Sequence, residues 1–456
     1  MARDVVDSEI VESRDALVGW LEAGCKPAGP FRVGTEHEKI PFYRAGHSPV
    51  PYEGERGIRA LLEGMRDHLG WEGIEDKGAL IGLYDAQGEG AISLEPGGQF
   101  ELSGAPLDDA HETAEELDRH LAACRAVAGP LGIGFLTLGM SPKWRLADTP
   151  SMPKSRYAIM ARYMPKVGTR GLDMMFRTAT VQANLDFASE QDMVAKMRVG
   201  LALQPAIVAL FANSPFTDGK LNGLVSARSE IWRHTDPART GTLAFAFEPG
   251  MGFEAYVDYA LDVPLYFLKR GDHYQDVAGA SFRDLLAGRL AQAPGERATI
   301  ADWANHLSTI FPEVRLKRFL EMRGPDVGPP GRIVALSALM AGLYYDPGAL
   351  RAAEALIEGW TAGDRQKLRD DAPLLGLAAE IGGRSLRAVA LDMLAIAHGG
   401  LKRRARVNAK GEDETIYLRP LEAIAESGRE PARHWIERYE GAWGRSVEPV
   451  FDEAAF

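Results

Sequence analysis

Alternating polar and apolar residues between Arg177 and Phe187 predict a half-buried β-strand. One face carries side chains that form hydrogen bonds at short, fixed reach, namely Thr178, Thr180, Gln182, Asn184 and Asp186. The opposite face is apolar and consists of Val181, Ala183, Leu185 and Phe187. The polar face lacks the lysines and glutamates of a solvated surface, so we interpret it as the wall of a reaction chamber.

The segment Phe31–Phe42 predicts a second strand, with Glu36 and Glu38 on one face. Two carboxylates about 7 Å apart along a strand repel each other unless a cation lies between them. A solvated strand edge is the alternative interpretation of such a pair, since glutamate is usually exposed. The aromatic and apolar residues on both sides of the pair favour a site over an edge.

Residues 88–103 predict a hairpin with its turn at or near Pro96–Gly98. Glu95 precedes the turn, and Glu101 follows it on the polar face of the second strand. The residues that face the other way are apolar. Carboxylates therefore occupy one face of this hairpin as well.

The segment Val314–Arg323 predicts a fourth strand of this kind, on which Glu321 and Arg323 share a face. An acid two residues before an arginine could hold a metal ion and contact a phosphate from one strand. The glycine- and proline-rich run from Gly324 to Gly331 follows and is the clearest breakpoint in the chain.

Helical periodicity separates these strands and dominates the end of the chain. Helices are predicted over residues 8–24, 56–69, 108–128, 189–211, 332–345, 347–360, 384–406 and from 421 onward. This order predicts an α+β fold with an antiparallel central sheet. We expect residues 1–330 to form the catalytic region and residues 331–456 a helical region packed on it as one compact unit.

Composition and charge exclude several classes of protein. The chain has 456 residues, is 46% hydrophobic and 25% charged, and carries a net charge of −12, which argues against a general nucleic-acid binder. Cys25 and Cys124 are the only cysteines and lie far apart, so a thiolate zinc site is excluded. The start of the chain has no apolar leader, and the longest apolar run, 201–212, is broken at Gln204 and Pro205. We therefore expect no membrane span and a cytoplasmic location.

Carboxylates on separate strands are the main candidates for chemistry, and they are Glu36, Glu38, Glu95, Glu101 and Glu321. Burying several like charges together is costly unless cations neutralise them. Oxygen ligands without cysteine indicate Mg²⁺, with Mn²⁺ as the alternative, and such ions accompany nucleotide phosphates.

Arginines could supply the remaining positive charge, and the candidates are Arg228, Arg233 and Arg323. No P-loop or dinucleotide-binding motif is present. The basic and aromatic segment Lys154–Lys166 is either an exposed basic face or a contact for phosphate or carboxylate. Together these residues predict a phosphoryl-transfer enzyme that uses ATP and Mg²⁺, with its substrate left open.

The chain resembles glutamate–cysteine ligase of the plant and proteobacterial type. The resemblance rests on 31–39, 94–103, 152–157, 178–187, 201–205, 213–216 and 256–264, and it spans roughly residues 30 to 345 before it loosens. It implies a bowl-shaped antiparallel sheet of the glutamine-synthetase-like type. It also implies the first step of glutathione synthesis, in which ATP phosphorylates the γ-carboxylate of glutamate and the cysteine amine attacks the acyl phosphate.

The resemblance also implies roles for individual residues. The five glutamates match the acidic metal-binding positions. Arg323 matches the arginine that contacts the transferring phosphate. Arg323 and Glu321 are therefore the predicted catalytic residues. Candidate contacts for substrate or ATP are Arg228, Arg233, Gln182 and Asn184. Gln182 stands where some relatives place a metal-binding histidine.

Two rival functions remain open at this stage. One keeps the fold and changes the amine acceptor, because the residues of a cysteine pocket cannot be assigned from sequence. The other is a catalytically silent binding protein for a nucleotide or an amino acid. The expected partners are glutamate, cysteine and ATP, handled by a monomer or a homodimer, and the cysteine pairs of redox-controlled plant members are absent.

Overall fold

The computed structural model describes residues 8–27, 29–88 and 90–456. Three parts of the chain therefore lie outside the described residues. They are residues 1–7, over which the sequence shows no apolar leader, Ala28, and Glu89 of the predicted hairpin.

The α-helices are numbered in chain order. They are α1 Arg14–Glu22, α2 Ile58–Leu69, α3 Ala110–Ala128, α4 Ser155–Val167, α5 Gly171–Arg177, α6 Glu190–Phe211, α7 Ala227–Arg233, α8 Phe253–Asp262, α9 Phe282–Leu286, α10 Ile300–Ser308, α11 Pro330–Tyr344, α12 Pro347–Leu356, α13 Ala362–Leu375, α14 Leu386–Arg404, α15 Arg419–Ser427, α16 Pro431–Glu440 and α17 Val450–Glu453. The region after residue 330 is thus mostly helical, as predicted.

The strands follow the same numbering. They are β1 Val33–Tyr43, β2 Glu72–Asp76, β3 Ala79–Tyr84, β4 Ala91–Leu94, β5 Phe100–Ser103, β6 Ile133–Leu136, β7 Val181–Leu185, β8 Phe216–Thr217, β9 Lys220–Leu221, β10 Thr240–Gly241, β11 Phe267–Arg270, β12 His273–Asp276, β13 Phe311–Pro312, β14 Val314–Leu316, β15 Leu320–Met322, β16 Glu380–Ile381 and β17 Arg384–Ser385.

One large antiparallel sheet organises the described part of the chain. Its strand order is β14-β15-β7-β1-β5-β4-β3-β2, and β6 pairs with the end of β1. All of the pairings within it are antiparallel. The four acid-bearing segments therefore lie side by side, with β1 between β7 and β5.

The apolar side of this sheet is covered by helix α11. The Thr35 hydroxyl on β1 lies 2.6 Å from the Ser337 hydroxyl on α11, and α11 also packs on β7. Because successive side chains of a strand point to opposite faces, Glu36 lies on the other side of the sheet. The polar side is thus available for a site.

Helix α6 belongs to the core of the protein. Ser189 caps it by accepting a hydrogen bond from the Asp192 backbone, as the sequence predicts. By length and apolar composition α6 could cross a membrane, but 89% of its apolar stretch is buried inside the protein. Burial of this kind is the ordinary environment of a core helix.

Three elements differ from their prediction. Helix α1 begins at Arg14, not near Ser8, because Ser13 supplies the cap. Strand β7 is only five residues long, since Arg177 ends helix α5. The segment 314–323 is a tight hairpin of β14 and β15, not one strand, because the Lys317 N–H donates back to the Phe319 carbonyl.

Candidate active site

Four of the predicted carboxylates line one cavity of about 110 Å³ on the polar side of the sheet, which we call the acid cavity. Its walls include Glu36, Glu38, Glu95, Glu101, Arg156, Tyr157, Met160, Gln182, Phe267, Ser308, Thr309, Phe311, Arg315 and Arg323. The large sheet, helices α4 and α10, the short strands β11 and β13, and residues next to these elements contribute the walls from distant parts of the chain.

Strand register brings the carboxylates together. Glu38 lies directly opposite Glu101 across β1 and β5, and Glu36 lies opposite Gln182 across β1 and β7. Glu95 lies at the turn that joins β4 and β5, where its N–H donates to the Gln99 carbonyl. Side chains that are directly opposite each other in an antiparallel pair have Cβ atoms about 5 Å apart, and like charges there are destabilising.

The protein surroundings do not neutralise two of these acids, Glu38 and Glu101. Burial, together with the neighbouring carboxylates Glu95 and Glu101, raises the pKa of Glu38 well above its usual value. Burial and adjacent acids also raise the pKa of Glu101 to about 7, although the Ser93 hydroxyl donates a 2.6 Å hydrogen bond to it. The cavity therefore favours a bound cation or a bound proton.

Glu321 lies beside the acid cavity in a different electrostatic environment. It is fully buried, accepts a hydrogen bond from Arg315 Nη2 at 2.6 Å and forms an ion pair with Lys317 Nζ at 2.7 Å, and Arg323 Nη1 also contacts it. Burial alone would raise the pKa of Glu321, but these three cations outweigh it and hold the pKa well below its usual value.

This environment distinguishes Glu321 from the other four acids, with which the sequence grouped it. Its oxygens contact three cations in this structure, and its predicted role as a metal ligand stays a prediction. The sequence did not indicate these contacts, because only the hairpin turn sets Arg315 opposite Glu321 and brings Lys317 within ion-pair distance of it.

Gln182 and Asn184 connect the two groups of charges. Arg323 Nη1 donates a 2.7 Å hydrogen bond to Gln182 Oε1. Asn184 Nδ2 donates a 2.8 Å hydrogen bond to Glu36 Oε1. In this structure both residues therefore position charged groups, whereas the sequence predicted them as contacts for substrate or ATP.

Arg228 and Arg233, the two arginines of helix α7 that were predicted to contact ligands, have different partners in the structure. Arg228 is buried and donates from Nη1 to the Gly324 carbonyl at 2.7 Å and from Nη2 to the Arg323 carbonyl at 2.9 Å. Arg233 pairs instead with Glu230 and, at 2.7 Å, with Asp370. Five residues along a helix rotate a side chain by about 140°, so both cannot face the cavity.

Helix α4 supplies residues that the sequence left between two interpretations. Arg156, Tyr157 and Met160 line the acid cavity, so this part of the basic segment is not simply an exposed face. The Tyr157 hydroxyl lies 2.7 Å from the Leu94 carbonyl and 3.2 Å from Glu95 Oε1. The signal in the sequence was the basic and aromatic helical spacing, which does not say which turn faces a cavity.

The donor set of the acid cavity suits a hard divalent cation. Glu36, Glu38, Glu95 and Glu101 offer carboxylate oxygens, and the raised pKa values of Glu38 and Glu101 indicate that these two lack sufficient countercharge. Over residues 8–27, 29–88 and 90–456, no three acidic, histidine or cysteine side chains converge on one point as a finished metal site. The acid cavity therefore suits such a cation by the type of its donor atoms, and not by a completed coordination geometry.

Phosphoryl transfer depends on positioning and on charge neutralisation, and acids beside a buried arginine can contribute to both. Residues 32–453 match glutamate-cysteine ligase family 2. The chain belongs to this family, which confirms the family predicted from the sequence motifs.

Curated relatives agree with this membership. The chain is 51% identical to the chloroplastic glutamate–cysteine ligase of Arabidopsis thaliana, over 97% of this chain and 83% of the relative. It is also 51% identical to the chloroplastic enzyme of Nicotiana tabacum, over 99% of this chain and 84% of the relative.

A solved structure supports the fold. The glutamate–cysteine ligase of Francisella tularensis, determined in complex with AMP, matches with a TM-score of 0.54 at 13% identity. The match covers 93% of this chain and 87% of that chain. The predicted α+β fold with an antiparallel, glutamine-synthetase-like sheet is confirmed.

The predicted cytoplasmic location is wrong. The relatives at about 50% identity, including the enzymes of Oryza sativa and Arabidopsis thaliana, are chloroplastic. The prediction relied on the absence of an apolar leader, but such a leader marks secretion only. Plastid transit segments are amphipathic and rich in arginine and serine, so hydropathy does not exclude a plastid.

Proposed function

We propose that this protein joins the γ-carboxylate of glutamate to the amine of cysteine at the expense of ATP, and that the acid cavity is where this happens. The observation that carries the proposal is the convergence of four carboxylates and Arg323 on one cavity in a member of this family. Glutamate, cysteine and ATP are the proposed substrates, and the product, γ-glutamylcysteine, belongs to glutathione biosynthesis.

The reaction proceeds in two group transfers. A γ-carboxylate oxygen of glutamate bonds to the γ-phosphorus of ATP, and the bond from phosphorus to the bridging oxygen breaks to release ADP. The cysteine amine then bonds to the acyl carbon, phosphate leaves with the electrons of the C–O bond, and the amine gives up a proton. Neither transfer needs a covalent nucleophile from the protein.

The carboxylates Glu36, Glu38, Glu95 and Glu101 would hold Mg²⁺, or Mn²⁺ in its place. When bound, such an ion would neutralise charge that develops on the phosphate oxygens. The protein's own contribution is the strand register that fixes Glu36, Glu38 and Glu101 and the turn that carries Glu95, together with the Ser93 and Asn184 side chains that orient Glu101 and Glu36.

Arg323 is proposed as the residue that contacts the transferring phosphoryl group. It lines the acid cavity, and Gln182 and Glu321 hold its Nη1. Because these contacts hold the guanidinium at one nitrogen, it is already placed to bind an anionic oxygen. The site then needs no reorganisation during the reaction. Glu321 is accordingly proposed as a positioning residue.

We propose that Arg228 acts indirectly, by fixing the backbone next to the site. It binds the carbonyls of Arg323 and Gly324 and so fixes the backbone that carries the catalytic arginine. Arg233, which pairs with acids on helices α7 and α13, has no part in the proposal.

Product analysis tests the proposal. Purified protein with ATP, glutamate, cysteine and Mg²⁺ should release ADP and form γ-glutamylcysteine in equal amounts, and chelation of the metal should abolish both. Restoring Mg²⁺ or Mn²⁺ should restore turnover. ADP release that does not depend on glutamate, or no release at all, would contradict the proposal and favour a silent binding protein.

A further inference from the structure

Arg323 has two supports in the structure. Its N–H donates to the Glu313 carbonyl at 3.2 Å, and its own carbonyl accepts from Arg228 Nη2 at 2.9 Å. Its guanidinium carbon lies 5.6 Å from the centre of the Phe311 ring and 6.0 Å from that of the Trp232 ring. Strand β13 with Glu313 is therefore one support of Arg323, and helix α7 is the other.

The first support is fixed by a residue of helix α13. Glu313 is the single residue between β13 and β14, so it stands where the chain passes from pairing with β10 to pairing with β15. Arg369 Nε on α13 donates to Glu313 Oε1 at 3.1 Å, and both side chains are only 12% exposed. Because a partly buried ion pair is screened less than a surface pair, this contact is a firm tie between Glu313 and α13.

The second support, helix α7, is tied to α13 at both of its ends. Before its first turn, the N–H groups of Val225 and Ser226 donate to the Pro373 carbonyl at 2.8 and 3.1 Å. At its last turn, Arg233 Nη2 pairs with Asp370 Oδ1 at 2.7 Å. The Pro373 carbonyl is free to accept because the last four carbonyls of a helix have no partner within the helix. Both supports of Arg323 are thus attached to one helix.

We infer that Arg369 is a positioning residue for the proposed reaction, and that α13 braces the two supports of Arg323 against each other. The inference rests on the proposed function, in which Arg323 contacts the transferring phosphoryl group. Without the brace, the Glu313 carbonyl and helix α7 shift relative to each other, and the guanidinium loses its fixed place at the acid cavity. A small displacement of a catalytic group, caused by a change far from it, can lower a rate by about 100-fold.

Removing the charge of Arg369 should lower kcat more than it changes binding. Arg369→Met keeps most of the aliphatic stem, and kcat for ADP release should fall about tenfold because the Arg323 guanidinium is less well placed. The KM values for glutamate and cysteine, and the Mg²⁺ concentration that gives the half-maximal rate, should stay close to those of the parent protein. Arg369→Lys can still pair with Glu313 and should recover most of the loss. A kcat equal to that of the parent protein in Arg369→Met overturns the positioning role.

Two comparisons separate this role from a general weakening of α13. Lys367→Met removes an exposed ion pair with Asp371 from the same helix and should leave kcat unchanged, and an equal loss in both variants would overturn the role of Arg369. Glu313→Gln tests the route. Because Arg369 acts through Glu313, the double variant should lose no more than the larger of the two single losses, and losses that multiply would contradict this route.

Hydrogen exchange tests the brace without any turnover. The Arg323 amide proton is bonded to the Glu313 carbonyl, so peptides that contain Arg323 should exchange faster in ligand-free Arg369→Met than in the parent protein or in Lys367→Met. Unchanged exchange overturns the inference. If exchange is faster in the variant but the unaltered protein releases no ADP with glutamate, the brace stands and the proposed function alone fails.

Discussion

Arg315 forms a bidentate ion pair with Glu321 across the β14–β15 hairpin. Its Nη2 lies 2.6 Å from Oε1 and its Nε lies 3.1 Å from Oε2. Both side chains are almost fully buried. The pair is further tied to the protein, because Arg315 Nη1 donates to the Ser308 and Ile310 carbonyls. The fixed Glu321 carboxylate compensates the positive charge of Arg323. Arg323 can therefore line the acid cavity without an unpaired charge.

Replacing that anion should destabilise the fold as well as the site. Glu321→Gln leaves three buried cations without their carboxylate, and breaking a buried pair in this way costs about 3–5 kcal/mol. We expect the free energy of unfolding in urea to fall by that amount and ADP release to be lost. Glu437→Gln, which breaks an exposed pair with Arg429, is the control and should cost less than about 1 kcal/mol.

Removing one acid of the cavity should separate stability from activity. Glu101→Gln keeps an acceptor for the Ser93 hydroxyl and relieves the repulsion with Glu38, so the melting temperature of the ligand-free protein should not fall. Mg²⁺-dependent ADP release should drop at least about 100-fold, as for the loss of a metal-site residue. Glu115→Gln, on the exposed side of α3, should retain full turnover; a fully active Glu101→Gln would contradict the metal assignment.

The amide of Gln182 should matter through Arg323. Gln182→Leu removes the acceptor of a charge-assisted hydrogen bond, and such bonds contribute about 1.5–3 kcal/mol. We expect kcat to fall about tenfold or more while the KM for cysteine changes little, as measured by steady-state kinetics. Gln366→Leu on the surface of α13 is the control. An equal loss in both variants would show that the effect is not specific to Arg323.

Acid should destabilise the protein partly through His306. Burial lowers the pKa of this histidine to about 3, and its Nε2–H donates to the Ala260 carbonyl at 2.8 Å. Because the folded pKa lies below the unfolded value, the unfolded chain binds the proton first, and the free energy of unfolding falls as the pH drops from about 6.5 towards 3. One such group contributes at most about 1.4 kcal/mol per pH unit.

The variant His306→Gln keeps a donor for Ala260 and cannot take up this proton. Its unfolding free energy, measured in urea between pH 7 and pH 4, should therefore depend less steeply on pH than that of the parent protein. His68→Gln, at an exposed position on α2, is the matched control. Equal slopes in the parent and His306→Gln proteins would contradict this account.

The strands and helices were largely predictable because their signals are local. Strand β1, the turn of the β4–β5 hairpin, and helix α6 with its Ser189 cap all follow from periodicity, glycine and proline placement, and capping residues. The same periodicity placed Glu36 and Glu38 on one face, which the structure confirms. Neighbouring residues suffice for these features, so no fold had to be known.

The different roles of the arginines could not be predicted from such local signals. Arg228 and Arg233 have the same chemistry and lie on one short helix, yet Arg228 binds the backbone of Arg323 and Arg233 forms partly buried ion pairs. Their roles depend on which side of α7 packs against the sheet, and that packing involves residues nearly a hundred positions away.

The sequence by itself determined the alternation of faces, the set of acids and the family of the protein, since these depend on residue identity and short-range spacing. Only the tertiary structure decided which charges meet. Strand pairing sets Glu38 against Glu101, and a hairpin turn sets Arg315 against Glu321. Electrostatic partners depend on distance in space, and chain spacing does not encode the strand order that fixes those distances.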